Sequence, residues 1–445
     1  VQEAINDITR DKIGVEIELS ITDYGSFNQN TTLALSANEE IDVLACVGFP
    51  YATGIQQGYL SDLEENDLIQ TYGQGIIDAV GQENVDACRV NGVLYGLPSN
   101  RDIAQGRGCA AIATEYLDGI GYEANTDDEI VKISLDELND IYAQLHEKYP
   151  DKEVYRPTTG SMSQFSNVDS LGGNVFGVLL DYGQNLDVVN LFESDFYKDY
   201  CARLYDYNQK GYISADASTD TTAVGELVKA GTLMSYTTGG KPGIKAQETT
   251  LTGRDMTIFQ TLDDYISSTS VASMPWTIPI SAQHKEAAMK FLNECYTNAD
   301  IANLLAWGIE GTHYKIGDDG LATYADGVDA SNSGWNHSMG WMMPNQFLTH
   351  VWEGNDPDLW TEMKEFNTNA KVSKASGFSF DSTNVANELT AVQNVYNEYQ
   401  TSVEYGFVDP ETGIAEMNDK MMTAGLQKII DEKKAQLAAW QEANK

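Results

Sequence analysis

Seven tryptophans occur in the chain, and five of them, Trp307, Trp335, Trp341, Trp352 and Trp360, fall in one polar stretch. That stretch reads Trp-Gly-Ile-Glu-Gly-Thr-His-Tyr over 307–314 and Ser-Asn-Ser-Gly-Trp-Asn-His-Ser-Met-Gly-Trp-Met-Met-Pro-Asn-Gln-Phe over 331–347. An indole is expensive to leave in water, and flanks of Gly, Asn and Ser cannot enclose it as a helix or strand core does. Flat apolar surface beside amides and carboxylates suits an amphipathic ligand, of which sugars are the commonest. For any single ring the competing reading is core beneath an irregular region. Trp352, Trp360 and Trp440 sit in helix-like contexts and read as core. Trp341, between Gly340 and Asn345, has room for a ligand to approach. His313, Trp335 and His337 are weaker candidates beside it, and Glu310 is a polar partner.

A second group of candidates lies in the first hundred residues. Arg101, between Asn100 and Asp102, carries a planar fork of five donors that suits bidentate contact with hydroxyls or a carboxylate. An ion pair with Asp102 is the equal alternative. Phe49 and Tyr51 flank Pro50 and are either stacking platforms or packing. Trp276, between Pro275 and Thr277, lines a cleft or joins a core, and Tyr236 opens the run Tyr-Thr-Thr-Gly at 236–239.

Motifs for other chemistry fail. Gly239-Gly-Lys-Pro-Gly243 lacks the spacing and the Ser or Thr of a phosphate loop, and Gly106-Arg-Gly108 does not continue into a dinucleotide fingerprint. No HExxH, EF-hand loop or nucleophile elbow occurs. With 67 Asp and Glu residues, paired carboxylates such as Asp102 and Glu310 are inevitable and do not by themselves argue a glycosidase. Cys46, Cys88, Cys109, Cys201 and Cys295 form no CxxC pair, and no histidine stands at metal-finger spacing. Buried free thiols are expected, with no metal site and no cofactor.

The elements that must position these residues are legible in outline. At 445 residues the chain is too long for one ordinary core, so two lobes are expected. The 27 Lys and Arg against 67 acids give a net charge of −40, which repels nucleic acid and anionic lipid headgroups. No run of 18 apolar residues exists to span a membrane. Helical spacing over 1–12 is followed by strand-like alternation over 15–21, a polar helix near 28–38 and an apolar strand over 41–47. Asn91-Gly92 marks a type I′ hairpin within 90–98. A second such unit begins near 105, with a strand at 109–113, a helix over 134–149 capped by Ser134 and Glu137, and a helix over 192–210. A strand at 233–236, a loop at 237–243, a strand-like run at 270–280, a helix at 285–296 and a last helix at 421–440 follow. This alternation predicts an α/β fold with a mostly parallel sheet covered by helices.

Several motifs together resemble one family. Gly-Leu-Pro-Ser-Asn-Arg-Asp at 96–102, Met-Pro-Trp-Thr-Ile-Pro at 274–279 with Glu-Ala-Ala-Met-Lys-Phe-Leu-Asn at 286–293, and Gly-Ile-Glu-Gly-Thr-His-Tyr at 308–314 are three of them. Gly-Trp-Met-Met-Pro-Asn-Gln-Phe at 340–347, Ser-Gly-Phe-Ser-Phe-Asp-Ser-Thr-Asn at 376–384, Gly-Leu-Gln-Lys-Ile-Ile at 425–430 and Gln-Leu-Ala-Ala-Trp at 436–440 complete the set. The chain resembles the extracellular solute-binding lipoproteins of bacterial ABC transporters, in the maltose-binding-protein-like class. Within it, the likeness is to a subgroup common in gut Firmicutes with a DUF3502 C-terminal domain.

The resemblance implies a periplasmic-binding-protein-like fold of two α/β lobes joined by hinge strands, which close on a ligand. It implies lobe 1 over 1–103 and 271–312, lobe 2 over 104–270, and a Trp-rich, helical region over 313–445 packing across both. It further implies a monomeric, non-enzymatic carrier that delivers a carbohydrate, most simply an oligosaccharide, to permease subunits. A peptide or other small polar solute is the rival ligand, and a secreted glycoside hydrolase the rival class. The loops after strand ends then bring Phe49, Tyr51, Asn100, Arg101, Asp102 and Tyr236 to the ligand, with Trp276, Glu310, His313, Trp335 and Trp341. Family members usually carry a lipobox cysteine, a polar linker and a first strand before the helix with which this chain opens. Val1 is therefore expected to follow a signal and anchor present in the full-length, cell-surface protein.

Overall fold

The computed structural model describes residues 1–22, 24–47, 49–123, 129–335 and 340–443. The chain divides into two compact units. The first comprises Val1–Ile103, Thr269–Met363 and Ser376–Ser379, and the second Ala104–Ser268, Lys364–Ala375 and Phe380–Lys445. Residues 313–445, expected as one region of their own, are thus shared between the two.

Helices dominate the first unit, with short strand pairs between them. The helix Gln2–Ile13 buries Ile5 and Thr9 and stops at Gly14, whose φ of 67° closes the last turn onto the carbonyl of Arg10. The alternating run at 15–21 forms no ladder. Instead the Asn6 side chain accepts from the Ile17 N–H at 2.7 Å and donates to the Ile17 carbonyl at 3.0 Å. One amide side chain thus does what a neighbouring strand would have done. The apolar run at 41–47 pairs over only two residues, Leu44–Ala45, antiparallel to Trp276–Thr277. The hairpin of Arg89–Val90 with Val93–Leu94 turns at Asn91 and Gly92, both at positive φ (53° and 82°), as a type I′ turn requires. The helix Lys285–Thr297 sends Ala288, Met289, Leu292 and Tyr296 into a core shared with Leu63, Ile76, Cys88, Leu94, Leu97 and Ile278.

The second unit holds a seven-stranded sheet. Its central strand, Gln105–Ala113, runs antiparallel to Leu233–Gly240 and Met256–Gln260, and its first residues run antiparallel to Asp264–Ile266. Parallel pairing is confined to the outer positions, where Glu153–Arg156, Val131–Lys132 and Lys371–Val372 join. The expected mostly parallel sheet is corrected to a mixed one. Alternation of strand and helix patterns reports which elements exist and does not report the direction in which a strand enters the sheet. The expected loop at 237–243 is strand as far as Gly240. Two glycines permit this, since a Cβ on Gly106 would stand 2.9 Å from the Gly240 Cα.

Ser134 caps the helix Leu135–Lys148, its hydroxyl accepting from the Glu137 N–H at 3.1 Å. The single helix expected over 421–440 is two, Pro410–Ala424 and Leu426–Ala443. They break at Gly425, where φ is 114°. No helix among the described residues is long and apolar enough to cross a membrane.

Candidate functional site

In the first unit, three segments distant in sequence converge. Leu97 and Trp276 exchange both backbone hydrogen bonds at 2.8 Å, which lays 97–102 beside 273–277. Asn100 then donates its N–H to the Pro344 carbonyl at 2.8 Å and accepts from the Gln346 N–H at 2.9 Å, which adds the segment 340–346. The Trp276 indole N–H donates to the Met342 carbonyl at 3.1 Å and fixes the same segment from the other side. Trp341 immediately precedes the Met342 attachment, on a short turn of 3₁₀ helix, Gly340–Met342.

The second half of the aromatic cluster hangs on the end of the helix Ala299–Trp307. The Trp335 indole donates to the Leu305 carbonyl at 3.2 Å, and a Cβ on Gly340 would reach the Ala306 side chain at 4.0 Å. His313 stands 6.3 Å from Trp335, ring centre to ring centre. Its Nδ1 accepts from the Ile309 N–H at 2.8 Å, so in the neutral imidazole the proton sits on Nε2. Gly308, at φ 83°, leaves room for this ring, because a Cβ there would meet Nδ1 at 2.6 Å.

Trp341 differs from its neighbours. The indoles of Trp276, Trp307, Trp335 and Trp360 each donate to a backbone carbonyl. Trp341 is half-buried and has no hydrogen-bond or ring partner among the described residues. A donor left open on a large apolar surface is available to a ligand at no cost to the fold. Trp307 and Trp352 pack as a tilted pair, 4.9 Å between ring centres, within a small core with Tyr314 and Ala322. Trp360 joins another with Val351 and Met363.

Other expected site residues are built differently. Arg101 donates to the Asp102 carbonyl at 2.8 Å, to the Asp102 carboxylate at 3.2 Å and to the Ser273 hydroxyl at 3.1 Å. With side chains only 16% and 10% exposed, the pair is the internal tie and presents no open fork. Asn100 spends its amide on the Ala79 carbonyl at 3.1 Å. Phe49 is corrected from stacking platform to core, being 1% exposed beside Leu35, Leu44 and Leu60. Tyr51 joins the same core and donates to the Cys88 carbonyl at 2.7 Å. Tyr236, in the second unit, is also corrected to core: it is 2% exposed, and its hydroxyl donates to the buried Glu248 carboxylate. A place at or just after a strand end cannot say whether a ring is covered, and each of these three is buried. Glu310 is exposed and pairs by backbone with Tyr314. His337 lies outside the described residues. Ser273, Met342 and Pro344, which hold the cluster together, were not read as site residues, the latter two acting through backbone oxygens that residue type does not reveal.

Each of the five cysteines is free and buried. Burial pushes the Cys46 and Cys109 thiols up to about 12, which leaves them unreactive near neutral pH. Glu40, Asp42 and His284 of the first unit present ligand atoms within 4.8 Å of one another. The histidine Nδ1 lies 3.3 Å from Glu40 and 3.4 Å from Asp42, a surface pairing that needs no ion to explain it.

Residues 374–442 match the family described as Domain of unknown function (DUF3502). The chain is 25% identical to a carbohydrate ABC transporter substrate-binding protein of Streptococcus pneumoniae serotype 4, across 97% of this chain and 86% of the relative. The crystal structure of the N-glycan transport solute binding protein NgtS of Streptococcus pneumoniae superposes with a TM-score of 0.85 at 23% identity, covering 100% of this chain and 96% of that one. The same protein in complex with Man5GlcNAc gives 0.70 at 22% identity, over 100% and 95%. The fold is that of the two-lobed solute-binding proteins. The resemblance read from the sequence, to solute-binding proteins of bacterial ABC transporters, is borne out across nearly the whole chain, and its DUF3502 part over residues 374–442.

Proposed function

We propose that this chain is the extracellular substrate-binding component of an ABC importer, which captures an oligosaccharide and passes it intact to membrane permease subunits. The observation that carries this reading is the open indole of Trp341 within a fixed polar and aromatic cluster. A sugar offers a C–H face to such a ring and hydroxyls to the groups around it. Trp335, His313 and Glu310 are its proposed neighbours, while Asn100, Arg101, Asp102 and Trp276 hold the cluster in place. The relative's name and the Man5GlcNAc complex of the similar structure support a saccharide over a peptide.

No catalysis is part of this reading. Asp102, one candidate acid, is engaged by Arg101, and Glu310, the other, stands exposed on a turn. The full-length protein is read as a monomer anchored to the cell surface by lipid. A thermal-shift screen of the protein against neutral and acidic oligosaccharides and a peptide panel tests the reading. A glycan at 100-fold excess over its dissociation constant should add about 2.7 kcal/mol of stability. Stabilisation by peptides alone would replace the saccharide with the rival solute.

A further inference from the structure

The central strand of the second unit carries a defect with a charge on it. Between Gly106 and Cys109 the pairing with Leu233–Gly240 slips, since Gly106 faces Gly240 whereas Cys109 faces Thr238. The strand has one extra residue there, a β-bulge, and bulges re-aim side chains. Gly108 sits at φ 66°, where a Cβ would come 2.3 Å from the Thr261 hydroxyl, so the kink depends on glycine. The side chain it presents is Arg107.

Arg107 is held but not satisfied. Its guanidinium lies over the Tyr265 ring, 5.7 Å from the centre, and Nη1 donates to the Ser163 carbonyl at 2.8 Å. Nε is buried without an acceptor, and Nη2 bonds to nothing among the described residues. Arg156 in the same unit holds Glu153 at 2.7 Å and Asp220 at 3.0 Å, and Arg254 holds Glu115. In a chain of net charge −40, carboxylates for Arg107 were abundant, yet none is paired with it. Burial lowers its pKa, and the charge of Asp169, which makes no ion pair with it, offsets that only in part.

The platform beneath it is rigid. Tyr265 donates to Asp169 at 2.8 Å, and Asp169 also accepts from the Ser268 hydroxyl at 2.6 Å, the Ser268 N–H at 2.9 Å and the Leu171 N–H at 3.0 Å. Tyr182 packs edge-on against Tyr265 at 5.4 Å. A cation fixed on an aromatic face, with Nη2 unspent among the described residues, is preorganised for a ligand oxygen.

Resting on the saccharide reading above, we infer that Arg107 is a ligand-binding residue of the second unit, donating to an acceptor oxygen of the bound saccharide. That oxygen is a hydroxyl in a neutral glycan or a carboxylate in an acidic one, and the two are separable. Calorimetric titration with Man5GlcNAc and with a sialylated glycan is run on the wild type, Arg107→Met and Arg107→Lys, with melting temperatures for each. The methionine keeps apolar contact with Tyr265 and removes the donors. Affinity should fall by about tenfold or more in Arg107→Met, with partial recovery in Arg107→Lys and little change in melting temperature. Loss confined to the sialylated glycan assigns the carboxylate, and loss with Man5GlcNAc assigns a hydroxyl. Wild-type affinity retained in Arg107→Met overturns the inference and leaves the saccharide reading intact. If Arg107→Met does not fold, the comparison of Arg107→Lys with wild type decides, and equal affinities again overturn it. A wild type that binds neither glycan overturns both together.

Discussion

Trp341 and Arg101 part company in the structure, and the difference shows what residue type alone can carry. Both are amphipathic groups with donors, and both were placed beside a ligand. The guanidinium of Arg101 is engaged by Asp102 and Ser273, whereas Trp341 has no hydrogen-bond or ring partner among the described residues. Hydrogen-bond satisfaction, invisible in a sequence, separates a tie from an open surface. Trp341→Ala is accordingly expected to cost about 2 kcal/mol or more of ligand affinity while leaving the denaturant midpoint nearly unchanged. A structural tryptophan would reverse the pattern, with about 3–5 kcal/mol lost from stability. Calorimetry and denaturation on the one variant decide.

A second residue-scale expectation concerns Glu404, buried in the second unit. Its carboxyl accepts from Tyr396 at 2.6 Å, Tyr197 at 3.1 Å and Gln400 at 3.1 Å, yet burial outweighs these donors and pushes it up to about 7. The folded state therefore holds this proton over a range in which the unfolded state, with a carboxyl near 4.3, has lost it. The stabilisation is fully present below pH 4.3 and is lost as pH rises toward 7, by roughly 4 kcal/mol in all. Glu404→Gln, which mimics the protonated form, should flatten that slope in unfolding midpoints measured from pH 4.5 to 7.5. An unchanged slope would mean that the carboxyl stays ionised throughout.

At the scale of elements, the DUF3502 region shows how one residue sets a join. Gly425 ends one helix and starts the next at φ 114°, and a Cβ there would lie 2.6 Å from the Glu388 side chain. Gly425→Ala should destabilise the protein by about 1–3 kcal/mol, read as a lower denaturant midpoint. Farther along the same helix Lys433 is fully buried, donating to the carbonyls of Ser170 and Gly177, both at 2.8 Å, and to the Asn174 side chain at 3.0 Å. Lys433→Met strands those oxygens and should cost about 2–4 kcal/mol in the same measurement.

Elements with strong periodicity or turn chemistry were legible in advance, such as the Ser134-capped helix and the Asn91-Gly92 turn. What failed depended on partners far along the chain. The run at 15–21 alternates like a strand but is bonded by Asn6, and the strand at 233 continues through 240 because Gly106 lies opposite. The helix expected at 421–440 read through Gly425 because its apolar spacing continues on both sides. Arg107 was visible only as a failed nucleotide motif, since nothing local announces a bulge.

For the whole molecule, the acidity that repels nucleic acid also bears on the ligand. A surface of net charge −40 repels anionic solutes at long range, so capture of an acidic glycan should weaken at low ionic strength, whereas capture of a neutral one should not. The central claim is that the chain binds an oligosaccharide and does not cut it. Calorimetric titration of the wild-type protein with Man5GlcNAc and related glycans, followed by mass spectrometry of the recovered sugar, tests that claim most directly. Saturable binding with the glycan recovered intact is the expected result. Shortened glycan would make the protein a hydrolase, and heat on titration with peptides but with no glycan would make it a carrier of another solute.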